Sequence, residues 1–190
     1  MSEQKMSISF RVDGGVIEHN NRTVIAKNVD ISRTEDNITY ISADIREFYN
    51  QIFGEAIAEY NNRQKRADRK ITDYYEHIKN SGKGKLFYEI VVQFGDINDC
   101  GVGSRNWETA KNMLNEYMQE FEKRNPNLKV FNAVMHLDES TPHLHIDFVP
   151  VARRNKKGLS VKNSMSGALR EQGFSSSNRM KNEWTAWSES

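Results

Sequence analysis

Two β-forming runs, Lys129–His136 and His143–Val149, stand six residues apart, and the linking residues include Pro142. So short a connection leaves the two strands an antiparallel hairpin and little else. That hairpin anchors the fold and also concentrates its chemistry. Of five histidines, three lie within ten residues, His136, His143 and His145 in HLDESTPHLH. Alternation puts His143 and His145 on one face of their strand. His136 ends the partner strand, so pairing sets it beside them, and Glu139 in the turn can reach the same point. Three imidazoles and a carboxylate make a plausible shell for one divalent ion, with positions left open for water or substrate. The plain alternative is unrelated polar residues on a strand face. It suits one lone histidine better than three that converge with an acid. Asp138 and Asp147 add negative charge behind this shell. Asp147 shares the face of His143 and His145, where it either orients an imidazole or is a solvated strand-end residue.

The rest of the chain supplies a sheet and helices around the hairpin. Met6–Val12 alternates as a first strand and Asp13-Gly14-Gly15 reads as a turn. Residues 16–43 are polar and irregular, with a short strand at Ile38–Ile41. From Asp44 to about Asn80 apolar residues recur at three- and four-residue steps, in one long helix or two. Leu86–Phe94 is a strand, Gly95–Ser104 a loop, and Asn106–Arg124 an amphipathic helix stopped by Asn125-Pro126-Asn127. After Arg153–Gly158 the chain reads as loop and short helices, and Asn182–Ser190 as a helix that stops mid-pattern. The expectation is an α+β fold with a central, mainly antiparallel sheet and helices packed on it, on one face, because the strands look half-buried.

Composition excludes several classes. No apolar run approaches the roughly eighteen residues of a membrane span, and MSEQKMSISF has no apolar signal core. The single cysteine, Cys100, excludes a disulfide framework and suits a reducing cytoplasm. Net charge is +1, which taken alone argues against a strong nucleic-acid binder. Its distribution argues otherwise. Arg63, Lys65, Arg66, Arg69 and Lys70 against Asp68 give +4 within residues 61–70, and Arg153, Arg154, Lys156, Lys157 and Lys162 give +5 within residues 153–162. Residues 35–60 carry −5 and mask them in the total. Such clusters bind phosphates; a solvated helix face explains the first about as well, whereas the second follows the histidine strand directly.

The bare tripeptide His143-Leu144-His145 has the His-hydrophobic-His form of HUH endonucleases, which hold a divalent ion against a scissile phosphate. A histidine-triad hydrolase would need a histidine where Asp147 stands. HLDESTPHLH as a whole resembles the HxDExxPHxH motif of the MobV (Pre/Mob) family of plasmid mobilisation relaxases, and His19-Asn20-Asn21-Arg22 matches the family's HxxR motif. The text VPVARRNKKGLSVKN and LREQGF is similar as well. The sequence departs from the family in its middle motif, where Asn37-Ile38-Thr39-Tyr40 separates an expected Asn-Tyr pair.

The resemblance implies a relaxase that nicks one strand at an origin of transfer by metal-assisted transesterification, stays attached to the 5′ phosphate and religates. It implies His136, Glu139, His143 and His145 as ligands of a divalent ion, Mn or Mg first, with Zn, Ni or Co also compatible. It implies His19 as the nucleophile in place of the usual tyrosine, with Arg22 stabilising charge on the phosphate. Tyr40 and Tyr49 are the rival nucleophiles. The DNA-binding residues expected are Arg153, Arg154, Lys156, Lys157, Arg63, Lys65 and Arg66. The partner is single-stranded or hairpin origin DNA. The expected domain is one nicking domain over residues 1–190, without the C-terminal region through which family members self-associate or meet a coupling protein. A non-catalytic DNA-binding module and a metal-dependent nucleotide hydrolase with an HxH strand are the competing readings.

Overall fold

The structure is a computed structural model and describes residues 8–13, 15–82, 84–153, 155 and 157–174. Met6 of the first expected strand, Arg154, Lys156 and the C-terminal segment with Trp184 and Trp187 lie outside the described residues.

Five strands pair antiparallel in the order β1-β3-β5-β4-β2. They are β1 (Ile8–Asp13), β2 (Ile38–Ser42), β3 (Tyr88–Phe94), β4 (Leu128–His136) and β5 (His143–Ala152), and a short β6 (Lys162–Asn163) pairs with the end of β5. The hairpin expected from the sequence is the β4–β5 pair, with His136 opposite His143. It lies at the centre of the sheet, flanked by β3 and β2.

Helices cover both faces, where the sequence pattern led us to expect one. Ile90, Leu144, Ile146 and Phe148 pack with Leu114 and Phe121 of α5 (Trp107–Arg124), with Cys100 of α4 (Ile97–Cys100) and with Leu169 of α6 (Met165–Glu171). On the opposite face Val149 and Val151 of β5 and Phe131 of β4 pack with Tyr49 and Phe53 of α2 (Ile45–Asn62) and Tyr74 and Ile78 of α3 (Tyr74–Ser81). This second face is divided along its length. β5 presents His143, His145 and Asp147 in one half and Val149 and Val151 in the other, so a single strand supplies both the polar site and a hydrophobic floor.

The division sharpens at a β-bulge. The β4–β5 register shifts between Val130 and Asn132. Val130 lies in the α5 cluster and Phe131 in the α2–α3 cluster, while Asn132 bonds Asp147. The extra residue thus turns Phe131 and Asn132 to the same side. The helical stretch after Asp44 is two helices. Asp44 caps α2 by accepting from Arg46 and Glu47 N–H, and Asp73 caps α3 by accepting from Glu76 N–H. The polar residues between them form no continuous helix because they have no apolar stripe to bury.

Candidate active site

The irregular stretch after β1 contains the element that the sequence pattern hid. α1 (Ile17–Asn20) is one turn of helix, too short to show a period, and it lays His19 and Asn20 over the histidine half of the sheet. The ring of His19 meets those of His136 and His145 edge-on, with centroids 5.5 Å and 5.8 Å apart. The close approach of this segment requires Gly15: a Cβ there would stand 2.7 Å from Asp147 Oδ1 and 2.9 Å from Glu89 Cδ.

Each hairpin imidazole has one ring nitrogen engaged by an acceptor. His136 Nε2 donates to the carbonyl of Asn20 at 2.8 Å, His143 Nδ1 to the carbonyl of Thr141 at 2.9 Å, and His145 Nδ1 to Glu89 Oε1 at 2.7 Å. These bonds set the tautomers and leave His136 Nδ1, His143 Nε2 and His145 Nε2 as lone-pair donors. His136 Nδ1 and His143 Nε2 lie 3.3 Å apart, two acceptors in van der Waals contact in the neutral tautomers. His145 Nε2 is buried with no partner. Glu139 Oε1 stands 3.8 Å from His136 Nδ1, 3.9 Å from His143 Nε2 and 3.7 Å from His19 Nε2. Burial, then the neighbouring imidazoles, pushes the His136 pKa down to about 2 and lowers that of His143. Neutral imidazoles with convergent lone pairs, beside a carboxylate, are the donor set a divalent cation takes. His136, Glu139 and His143 form one group able to hold such an ion, and His19, His136 and His145 form another that shares His136.

The acids sort differently from the sequence expectation. Glu89 of β3, which no local motif singles out, is the carboxylate bonded to His145. Its pKa is lowered because hydrogen bonds from His145 and Asn20 outweigh its burial. Asp147 instead accepts from Asn20 Nδ2 and Asn132 Nδ2, each at 2.9 Å. Burial pushes its pKa up to about 6 against those two bonds. Asp138 faces Arg22 rather than an imidazole. Arg22 donates to it through Nε at 2.9 Å and Nη2 at 2.5 Å, and also to Glu139 Oε1 at 2.8 Å. These bonds with Arg22, joined by Asn37, hold the Asp138 pKa at about 2 despite its burial.

Arg22 reaches both acids from a left-handed backbone, φ 55°, costly for a non-glycine residue and kept here by its bonds. Its Nη1 lies 3.5 Å from His19 Nε2. Burial and then Arg22 lower the His19 pKa. Asn37, the displaced half of the middle motif, is placed at the hairpin turn: its Oδ1 accepts from Leu137 N–H at 2.7 Å and its Nδ2 donates to Asp138 at 2.8 Å. Tyr40 points to the other face, where its hydroxyl donates to Asn115 of α5 at 3.0 Å. Tyr49 is fully buried under α2, donating to the carbonyl of Leu86 at 2.5 Å. Neither phenol is placed with the histidines. His77 is exposed and stacks on Tyr74, and Cys100 is buried in the α5 core.

Arg153 and the described residues of the first cluster are not beside the histidines. β5 runs on to Ala152, so Arg153 leaves the sheet about 27 Å from His145 at the usual rise per residue. The second cluster follows the histidine strand as expected, but that strand runs three residues past Val149 and carries Arg153 away from the histidines. Arg63, Lys65 and Arg66 are exposed on the segment between α2 and α3, and Arg66 is paired with Asp68.

The family model described as plasmid recombination enzyme (Mob_Pre) matches residues 16–172. The chain belongs to this family. No curated protein matches it. Among solved structures, a Mn-bound MobM relaxase domain (MOBV; Mob_Pre) with a 22-nucleotide oriT DNA of plasmid pMV158, at pH 5.5, is 21% identical over 83% of this chain and 74% of that chain, with a TM-score of 0.47. The same domain with a 22-nucleotide, 3′-thiophosphate oriT DNA at pH 6.8 is 23% identical over the same shares, with a TM-score of 0.46. Among the described residues no helix is long and apolar enough to cross a membrane.

Proposed function

We propose that this plasmid recombination enzyme is a relaxase that cuts one strand at an origin of transfer and religates it, taking origin DNA and a divalent ion as the MobM domains do. The observation that carries the reading is the set of fixed tautomers: three imidazoles each have one nitrogen engaged, by Asn20, Thr141 and Glu89, and leave the other as a lone-pair donor, those of His136 and His143 beside Glu139 and that of His145 grouped with His136 and His19. His136, His143, His145 and Glu139 would hold the ion. When bound, it supplies Lewis-acid polarisation of the non-bridging phosphate oxygens.

His19 is the nucleophile in this reading. Its Nε2 faces the site, and Arg22 Nη1 favours the neutral ring. The Nε2 lone pair forms a bond to phosphorus as the P–O3′ bond breaks. The departing 3′ oxygen takes a proton from solvent, and the Nδ1 proton is lost. A histidine–5′-phosphate adduct results, and reversal by the 3′ hydroxyl religates the strand. Arg22, already between His19 and Glu139, is positioned to share charge with the phosphate. Glu89 orients His145, and Asp138 holds Arg22. Residues 1–190 constitute the nicking domain, and the bacterial cytoplasm, where plasmid DNA resides, is its place of action.

Relaxation of supercoiled plasmid carrying the cognate origin, with and without chelator, tests this reading beside a small-nucleotide hydrolysis assay. Chelator-sensitive relaxation with a covalent adduct on His19 is expected. Nucleotide hydrolysis without relaxation would replace the relaxase by a hydrolase, and DNA binding without either activity would leave a binding module.

A further inference from the structure

The two basic clusters, separated by more than eighty residues in sequence, meet at one cavity of about 780 Å³. One wall carries Arg69 and Lys70 from the α2–α3 connection, and the other carries Lys157 and Lys162 from the segment after β5, with Lys85 also lining the space. Asp68 is the one acidic residue on its lining, and Arg66 neutralises it through two hydrogen bonds of 2.6 Å and 2.9 Å. Among the described residues no carboxylate pairs with Arg69, Lys70, Lys157 or Lys162. The cavity is held open by a built frame. Asn163 Nδ2 donates to Tyr49 Oη at 2.6 Å and to the carbonyls of Lys85 and Leu86 at 3.0 Å, and its N–H donates to Tyr74 Oη at 3.2 Å. These bonds pin β6, and with it Lys162, against α3. Tyr60 and the exposed His77 add ring surface to the lining.

We propose that this cavity is a second DNA contact, separate from the metal site, that takes the phosphate backbone of the strand flanking the cleavage point. Uncompensated cations around a concavity suit a chain of phosphates, and ring faces beside them suit a stacked base. A flat lipid surface does not fit a concave site. The position along the molecule fits as well. The cavity lies at the β6 end of the same sheet face that carries His143 and His145. From His143 to Val151, where β6 pairs, β5 advances about 27 Å, which is about eight base-pair rises of 3.4 Å along a duplex. The enzyme thus grips its DNA at two points, one where the strand is cut and one that only binds, and the second fixes how the flank leaves the first. The inference rests on the relaxase reading for the identity of the nucleic acid.

The test uses charge reversal on each wall separately, R69E/K70E and K157E/K162E; Arg69, Lys70 and Lys157 are exposed and Lys162 is half-buried. Binding is read by fluorescence anisotropy over a salt series with two probes. One is an origin oligonucleotide confined to the cleavage point, and the other extends beyond it by a full duplex turn on each side. Each variant is expected to bind the extended probe roughly ten- to a hundredfold more weakly at low salt, and its log–log salt slope should shrink by about 1.4–1.8 for two lost phosphate contacts. The short probe should bind both variants as it binds the parent protein. Unchanged affinity for the extended probe overturns the inference, and so does an equal loss for both probes, which would mean a diffuse field and no discrete contact. Failure of the parent protein to nick the short probe would instead count against the relaxase reading.

Discussion

His136 donates its Nε2 proton to the backbone carbonyl of Asn20, 116 residues earlier, at 2.8 Å. The same Asn20 sends its side-chain amide to Glu89 at 2.7 Å and to Asp147 at 2.9 Å. One buried residue next to His19 therefore orients His136 directly and His145 through Glu89. Asn20→Ala keeps the carbonyl but removes both side-chain donors. Loss of such support behind a ligand costs roughly ten- to a hundredfold in metal affinity, so Mn²⁺ titrated calorimetrically into the protein without DNA should bind weaker by that factor. Urea unfolding should also report about 1–3 kcal/mol of lost stability from two carboxylates deprived of a donor. Full retention of Mn²⁺ affinity would show that Asn20 is only a packing residue.

His19 shares a donor group with His136 and His145, so its role as nucleophile must be separated from a role as ligand. His19→Ala is expected to retain Mn²⁺ binding by calorimetry and to lose the covalent adduct with an origin oligonucleotide. His136→Ala and His145→Ala are expected to lose both. If His19→Ala also abolished metal binding, the second donor group would be the true ligand set and the nucleophile would have to be sought elsewhere.

Arg22 and Asp138 form the tightest buried ion pair of the site, with side-chain exposures of 7% and 0%. Removing one partner leaves a buried charge without compensation, at a cost of about 3–5 kcal/mol. Arg22→Ala should therefore lower urea stability by that amount. Asp138→Asn with Arg22→Ala should recover part of it, since no buried charge then stands alone. Arg22→Lys keeps the charge but not the bidentate fork, and we expect it to fall between the two in stability while losing most nicking. A double variant no more stable than Arg22→Ala would mean that the pair is not coupled.

The hairpin, its three histidines and Glu139 were legible because a six-residue link dictates register and register dictates face. The α5 stripe was legible for the analogous reason in a helix. What the sequence hides is short or remote. α1 is a single turn without a period, so the element carrying His19 read as irregular, and only the HxxR resemblance singled the residue out. Glu89 sits on a strand with apolar neighbours, and nothing local ties it to His145, its partner 56 residues away. The bulge at Phe131 leaves no mark in the alternation, and strands that look half-buried point to helices on one face only. The basic clusters were visible as charge, but where they lie depends on how far β5 runs, a matter of three residues at a strand end.

The two rival nucleophiles can be removed without touching the site. Tyr40 lies on the α5 side of the sheet, bonded to Asn115, and burial pushes its phenol up to about 12. A group held so far from ionisation, on the far face from the histidines, has no route to the phosphate. Tyr49 is sealed between α2 and the sheet, with burial again raising its pKa, and its hydroxyl is occupied by Leu86 and Asn163. Tyr40→Phe and Tyr49→Phe should each form the covalent adduct at the parent rate. Tyr49→Phe should also lose about 1 kcal/mol in urea unfolding, the low end for a buried hydrogen bond, because Asn163 keeps its bonds to the carbonyls of Lys85 and Leu86. Adduct mapping by mass spectrometry decides the matter: loss of the adduct in a folded Tyr40→Phe or Tyr49→Phe protein would return the nucleophile to tyrosine and leave His19 as a site histidine without a covalent role.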